Sequence, residues 1–149
     1  SMGGWLMLHV ALALGGRVAG LVGIAAAPDF TQWGYSDAEK AELIAAGRLL
    51  QPNPYGPDPT LTTLALWQSG ERLRLLDAPI AIDYPVRLLH GQADQDVPWD
   101  IALRLAGALG SADVRTVLVK DGDHRLSRPQ DIQLLLRTVE QLLQDILPS

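Results

Sequence analysis

Cysteine is absent from the 149 residues. That excludes a disulfide framework, a thiolate nucleophile and a zinc site built on sulfur. Charge is sparse too, at 19% of residues, and acidic groups prevail: 17 Asp+Glu against 12 Lys+Arg leave a formal net charge of −5. A chain of this sign is a poor partner for nucleic acid or an anionic membrane. No apolar run is long enough to cross a bilayer, and Val18–Pro28 falls far short. No leader is visible at the start, which makes the cytoplasm the default location. Internal repeats and low-complexity tracts are missing. What remains is a globular composition, 48% hydrophobic. A chain this long buries roughly 68–70% of its unfolded surface around one core.

The order of patterns is that of an α/β protein. Met2–Leu14 is small and apolar, with Trp5, Leu8 and Leu12 at helical spacing and Gly15-Gly16 as a stop. A helix apolar nearly all round is expected to be buried on every side. Val18–Ala27 is a short unalternating apolar run, which suits a strand of a parallel sheet covered on both faces. From Pro28 to Pro79 the character changes. Four of the ten prolines crowd into Gln51–Pro59, a stretch that can hold neither a helix nor a central strand. On one side is a short helix over Ser36–Gly47, opened by a capping box of Ser36 and Glu39. On the other, a helix is expected from Thr60 to about Leu76. Residues 28–79 therefore read as a cap-like excursion above the sheet.

The alternation then resumes with a strand over Pro85–His90, a helix over Ile101–Leu109, a strand over Val114–Val119 and a long helix over Pro129–Leu147. That last helix has Pro129 in its first turn and places Ile132, Leu135, Leu136, Val139, Leu143 and Ile146 on one face. Strands alternating with helices imply a parallel sheet with helices on both faces. Three strands are few for so apolar a set of helices, and a buried helix opens the chain. The expectation is that residues 1–149 form a partial domain lacking its N-terminal strands.

Nucleophilic hydrolysis needs a hydroxyl, an imidazole to take its proton and a carboxylate to orient the imidazole. Ser1-Met2-Gly3-Gly4 matches the second half of a G-x-S-x-G nucleophile elbow, in which the glycine two places after the serine permits close packing. Asp94, in His90-Gly91-Gln92-Ala93-Asp94-Gln95-Asp96-Val97-Pro98, follows an expected parallel strand at the sheet edge where open α/β folds place their sites. His124, in Lys120-Asp121-Gly122-Asp123-His124-Arg125, follows the next strand. One helix and one strand separate Asp94 from His124, which returns both to the same edge. The order serine, aspartate, histidine is that of α/β-hydrolases.

With these three motifs the chain resembles the α/β-hydrolase superfamily from the elbow to the C-terminus. Ser1-Met2-Gly3-Gly4-Trp5, the run from Leu89 to Trp99 and Gly122-Asp123-His124-Arg125 carry the resemblance. Within the superfamily it looks most like the group of animal acyl-glucuronide esterases and protein S-depalmitoylases and their bacterial relatives. The resemblance implies a serine esterase or thioesterase with Ser1 as nucleophile, His124 as base and Asp94 as its orienting acid. The backbone N–H of Met2 would serve as an oxyanion-hole donor. It also implies a small-molecule acyl ester or thioester as substrate, no cofactor, and a segment before the elbow that supplies a second oxyanion donor. Trp33 and Trp67, in the excursion, are candidates for the wall of an acyl pocket.

Other readings compete at several positions. Ser1-Met2 alone fits a remnant of tag cleavage, a reading that does not account for Asp94 and His124. Ser1 could instead be the mature end of an N-terminal-nucleophile hydrolase, but such enzymes usually begin on a strand, not a buried helix. A non-enzymatic binding module on the same fold would not need all three residues. Asp94 could be a turn residue, and Asp96 is its rival for the orienting role. Asp121 and Asp123 read as solvated loop charges, and His9 as a core residue. His90 is expected to support the Asp94 loop through a hydrogen bond. Neither His9 nor His90 pairs with other ligand-type residues at metal spacing, so no metal site is expected.

Overall fold

The computed structural model describes residues 1–147. In chain order its elements are α1 (Met2–Leu14), β1 (Leu21–Ile24), α2 (Phe30–Trp33), α3 (Asp37–Ala46), β2 (Arg48–Gln51), β3 (Thr60–Thr63), α4 (Leu64–Arg72), β4 (Val86–Gly91), α5 (Asp100–Ala108), β5 (Val114–Val119) and α6 (Pro129–Ile146). They fall into two compact units. One joins Ser1–Pro28 to the chain from Leu75 onward, and the other is Asp29–Arg74.

The first unit is built on a three-stranded parallel sheet in the order β1-β4-β5. Every residue of β4 is buried, as a central strand covered on both faces requires. Its side chains alternate. Val86 and Leu88 join Leu8 and Ala11 of α1, Leu21, Ile80, Ile82, Leu105 and Leu109 in the hydrophobic core. Arg87 and Leu89 point to the opposite face, toward Arg137, Thr138 and Gln141 of α6. Helices thus lie on both faces of the sheet, as the alternation implies. The buried Arg87 guanidinium is paired with Asp113 (2.9 Å) and with Asp145 of α6 (3.1 Å), which fastens that helix across β4 and β5.

Two helices are less covered than their composition suggests. In α1 the buried residues are Trp5, Leu8 and Ala11, whereas Met2, Leu6, Val10 (56% exposed) and Leu14 form an open stripe. In α6 the inward residues are Asp131 and Leu142, and Ile132, Leu136, Val139 and Leu143 are exposed. Only one face of each helix meets the sheet, and no described element packs on the other. The face expected to anchor α6 is therefore its outer one.

In the second unit, α3 has the expected capping box: Ser36 Oγ accepts the Glu39 N–H (3.2 Å) and Glu39 accepts the Ser36 N–H (2.8 Å). Gly47 ends it in the left-handed conformation, φ 74°. The single helix expected from Thr60 is a strand followed by a helix. Thr60–Thr63 pairs antiparallel with Arg48–Gln51, and Thr63 Oγ1 then caps α4 by accepting the Leu66 N–H (3.1 Å). The β-branched threonines favour the strand, and the hydroxyl of the last one starts the helix.

Candidate active site

The strands β1, β4 and β5 run parallel and side by side, and Asp94 and His124 lie in the loops after the C-terminal ends of β4 and β5. Ser1 is the N-cap of α1. Its carbonyl accepts the N–H of Gly4 (2.9 Å) and that of Ala27 (3.1 Å), which ties it both to its own helix and to the chain leaving β1. Met2 is the first residue of the helix, where an N–H has no intrahelical acceptor. The close approach of α1 to this chain falls on Gly4, not Gly3. A Cβ at Gly4 would lie 2.5 Å from Ala26 Cβ, whereas a Cβ at Gly3 meets no described atom within 4 Å. Successive helical residues are turned about 100° apart, so only one of the two glycines can face Ala26.

Asp94 lies in the loop after β4 with its carboxylate fully buried. Oδ1 accepts the backbone N–H groups of Asp96 (2.8 Å) and Val97 (2.9 Å), and Oδ2 stands 2.9 Å from His124 Nδ1. Asp94 is both a turn residue and the partner of the imidazole. Burial pushes the carboxyl pKa up, but the Val97 N–H, His124 and the Asp96 N–H together hold it below its ordinary value. Opposite this carboxylate, Nδ1 of His124 must donate, which leaves its Nε2 as the open position. Asp96 is the weaker partner, at 4.0 Å from Nδ1.

His124 lies in the loop after β5 and is 22% exposed at its side chain. Asp123 shapes that loop: Oδ1 accepts the N–H groups of Arg125 (3.1 Å) and Leu126 (2.9 Å), and Leu126 takes a left-handed φ of 45°. The base of the loop is clamped by Arg128, which forks to Asp121 (2.7 and 3.1 Å) and to Asp131 of α6 (2.7 and 3.0 Å). Asp121 and Asp123 are exposed loop charges, as the sequence suggested, and each also makes hydrogen bonds that shape the His124 loop. The D-x-x-[L] spacing of an Asx turn was the available signal for Asp123. Nothing local announces the Arg128 clamp.

The two loops are laced together by backbone bonds from Gln92 N–H to Val119 O (2.8 Å) and from Ala93 N–H to Gly122 O (3.0 Å). His90, at the end of β4, is buried, with Nε2 3.0 Å from Val97 O and 3.2 Å from Asp94 Oδ2. His9 stays apart from this group, its ring tilted against Trp5 at 6.2 Å. The Ser1 nitrogen donates to Ile24 O (3.4 Å).

Ligand atoms of Asp94, Asp96 and His124 lie within 4.8 Å of one another. Their hydrogen bonds weigh against a metal centre. Both Asp94 oxygens are already accepting N–H groups, and the His124 nitrogen nearest the cluster carries a proton. In the second unit, Trp33 ends α2 and Trp67 lies in α4, where its Nε1–H donates to Thr31 O (3.0 Å) and joins the two helices.

No family model matches the chain. It is 39% identical to mouse palmitoyl-protein thioesterase ABHD10, mitochondrial, over 147 residues that cover 96% of this chain and 50% of that one. Among solved structures it is similar to mouse alpha/beta hydrolase domain-containing protein 10, at 36% identity and a TM-score of 0.89 over 99% of this chain and 60% of that chain. It is also similar to a putative hydrolase from Agrobacterium vitis S4, at 40% identity and a TM-score of 0.86 over 95% of this chain and 58% of that one. The chain has the α/β-hydrolase fold. It spans about half the length of the curated relatives it matches. None of this α/β-hydrolase's described helices is long and apolar enough to cross a membrane.

Proposed function

We propose that this α/β-hydrolase chain carries the Ser-His-Asp machinery of an enzyme that cleaves carboxylic esters or thioesters of acyl groups. The observation that carries the reading is the 2.9 Å bond between the buried Asp94 carboxylate and His124 Nδ1, one strand over from Ser1 at the head of α1. Ser1 Oγ attacks the acyl carbonyl while His124 Nε2 takes its proton. The imidazolium so formed is stabilised by Asp94, and the Met2 N–H donates to the tetrahedral oxyanion. Collapse breaks the bond to the leaving alcohol or thiol, which receives the proton from His124 and leaves an acyl-serine. Water, deprotonated by His124, releases the acid and restores Ser1. The residues supply every proton and electron pair in this cycle, so it needs no cofactor.

Support comes from relatives named as a palmitoyl-protein thioesterase and as a hydrolase. Trp33 and Trp67 are the residues we assign to the acyl pocket, with a small-molecule ester or thioester as substrate. That Ser1 caps a helix and not a strand weighs against an N-terminal-nucleophile hydrolase. A cytoplasmic site of action competes with the word mitochondrial in the relatives' names, and cell fractionation decides between them. The chemistry is tested by fluorophosphonate labelling and by p-nitrophenyl ester turnover. A single adduct on Ser1, and loss of turnover in Ser1→Ala, are expected. Full activity in Ser1→Ala would overturn the assignment of Ser1, and a wild-type chain with neither adduct nor turnover would leave a binding module.

A further inference from the structure

The Asp94 carboxylate has a second imidazole beside it. His90 is completely buried at the C-terminal end of β4, and its Nε2 faces two oxygens, the Val97 carbonyl at 3.0 Å and Asp94 Oδ2 at 3.2 Å. A nitrogen lone pair aimed at two oxygen acceptors would be repelled by both, so Nε2 must carry the proton. Nδ1 is buried and has no hydrogen-bond partner among the described residues. A second proton there would be a buried donor with nowhere to go. The tautomer is therefore set by geometry on both sides of the ring.

The bonds close a small circuit. The N–H of His90 holds the Val97 carbonyl, the N–H of Val97 holds Asp94 Oδ1, and Asp94 Oδ2 holds His124. The same His90 N–H stands beside Oδ2 itself. Rotation of the carboxylate away from His124 would thus strip donors from both oxygens of a side chain that has no exposed surface. The other charged and titratable groups of this cluster are Asp96, 4.0 Å from His124 Nδ1, and Asp123, which holds the His124 loop.

We infer that His90 is a positioning residue for the hydrolytic site, an Nε2–H imidazole that fixes the Asp94 carboxylate in the orientation His124 requires. The inference rests on the reading of Asp94 and His124 given above. Its effect belongs to the chemical step and not to substrate binding, since His90 is sealed from any substrate.

The test compares His90→Gln, His90→Asn and His90→Leu in the full chain, by steady-state hydrolysis of a p-nitrophenyl ester and by 15N–1H spectra of the imidazoles. A glutamine amide reaches the position of Nε2, whereas asparagine is too short and leucine offers no donor. Loss of a hydrogen bond on a buried charged group predicts a fall in kcat of about 10–100-fold for the asparagine and leucine variants, with KM unchanged and glutamine largely restoring the rate. Wild-type kcat in His90→Asn or His90→Leu, or a glutamine variant no better than the other two, would overturn the proposal. The spectra stand apart from activity and from the folding of any His90 variant. They should show His90 protonated on Nε2, with a signal that moves in Asp94→Asn. An Nδ1–H tautomer, or a signal indifferent to Asp94→Asn, would refute the positioning role even if the wild-type chain hydrolysed nothing. Failure of Ser1 to label would count against the hydrolase reading alone.

Discussion

Gly91 and Gly122 touch backbone to backbone. A Cβ on Gly91 would overlap the Gly122 carbonyl oxygen, the acceptor of the Ala93 N–H bond that laces the Asp94 loop to the His124 loop. Because the obstacle is main chain, no rotamer change can relieve it. Gly91→Ala should force the two loops apart, with a destabilisation of about 1–3 kcal/mol from overpacking. Loss of esterase activity should exceed what that stability change explains. Urea denaturation alongside kcat measures both.

At the carboxylate the prediction is a contrast between neighbours. Asp94→Asn keeps the volume but offers an amide where His124 needs an acceptor, and it favours the wrong tautomer. By analogy with the serine-protease triad, kcat should fall by about 10⁴. Asp96→Asn, at 4.0 Å from the ring in the wild type, should cost less than about tenfold on the scale of a partly exposed ion pair. A larger loss in Asp96→Asn than in Asp94→Asn would make Asp96 the orienting residue.

Acid should unfold the chain through its paired carboxylates. In Asp113, Asp121 and Asp131 hydrogen bonds to arginine lower the pKa, Asp145 is lowered first by Gln141, and in Asp94 the donors outweigh burial. A depressed folded-state pKa gives stability that is present above the ordinary carboxylate value of about 4 and is lost as pH falls through the lower folded value. Melting temperatures should therefore hardly respond to these groups between about pH 7 and 5, and should drop steeply below about pH 4. Arg128→Ala, which removes the partner of Asp121 and Asp131, should lessen that acid dependence.

Substitution at the head of α1 should be sharply position-dependent. A Cβ on Gly4 meets Ala26 Cα at 2.7 Å, so Gly4→Ala should displace the helix and with it Ser1 and Met2. Fluorophosphonate labelling of Ser1 should slow by more than about tenfold, because the helix start positions both Ser1 and the Met2 N–H, the proposed nucleophile and oxyanion donor.

Much of this arrangement is legible in the residue order, for reasons that differ from place to place. A capping box specifies α3 locally, so Ser36 and Glu39 announce its start without help from the rest of the chain. The Asp94 and His124 loops are legible because each follows an apolar strand, and parallel strands deliver their ends to one edge. The β2–β3 hairpin is not, because Thr60–Thr63 runs straight into α4 and its pairing partner lies across a proline-rich stretch. Nor are the open stripes on α1 and α6. Hydrophobicity states that a surface should be covered and says nothing about which neighbour is on hand to cover it. The circuit through His90 depends on where the Val97 carbonyl turns, a property of the folded loop.

The second unit begins after Pro28 and ends before Leu75, whereas the bonds that hold Asp94, His124 and their loops run among residues 90 to 131. On the function proposed above, with Trp33 and Trp67 at the acyl pocket, reactivity and selectivity belong to separate stretches of one chain. The first can stay constant while the second drifts, is lengthened or is exchanged between homologues, much as a toolholder accepts different bits. Chimeras crossed over at those two junctions would inherit their reaction from one parent and their choice of substrate from the other.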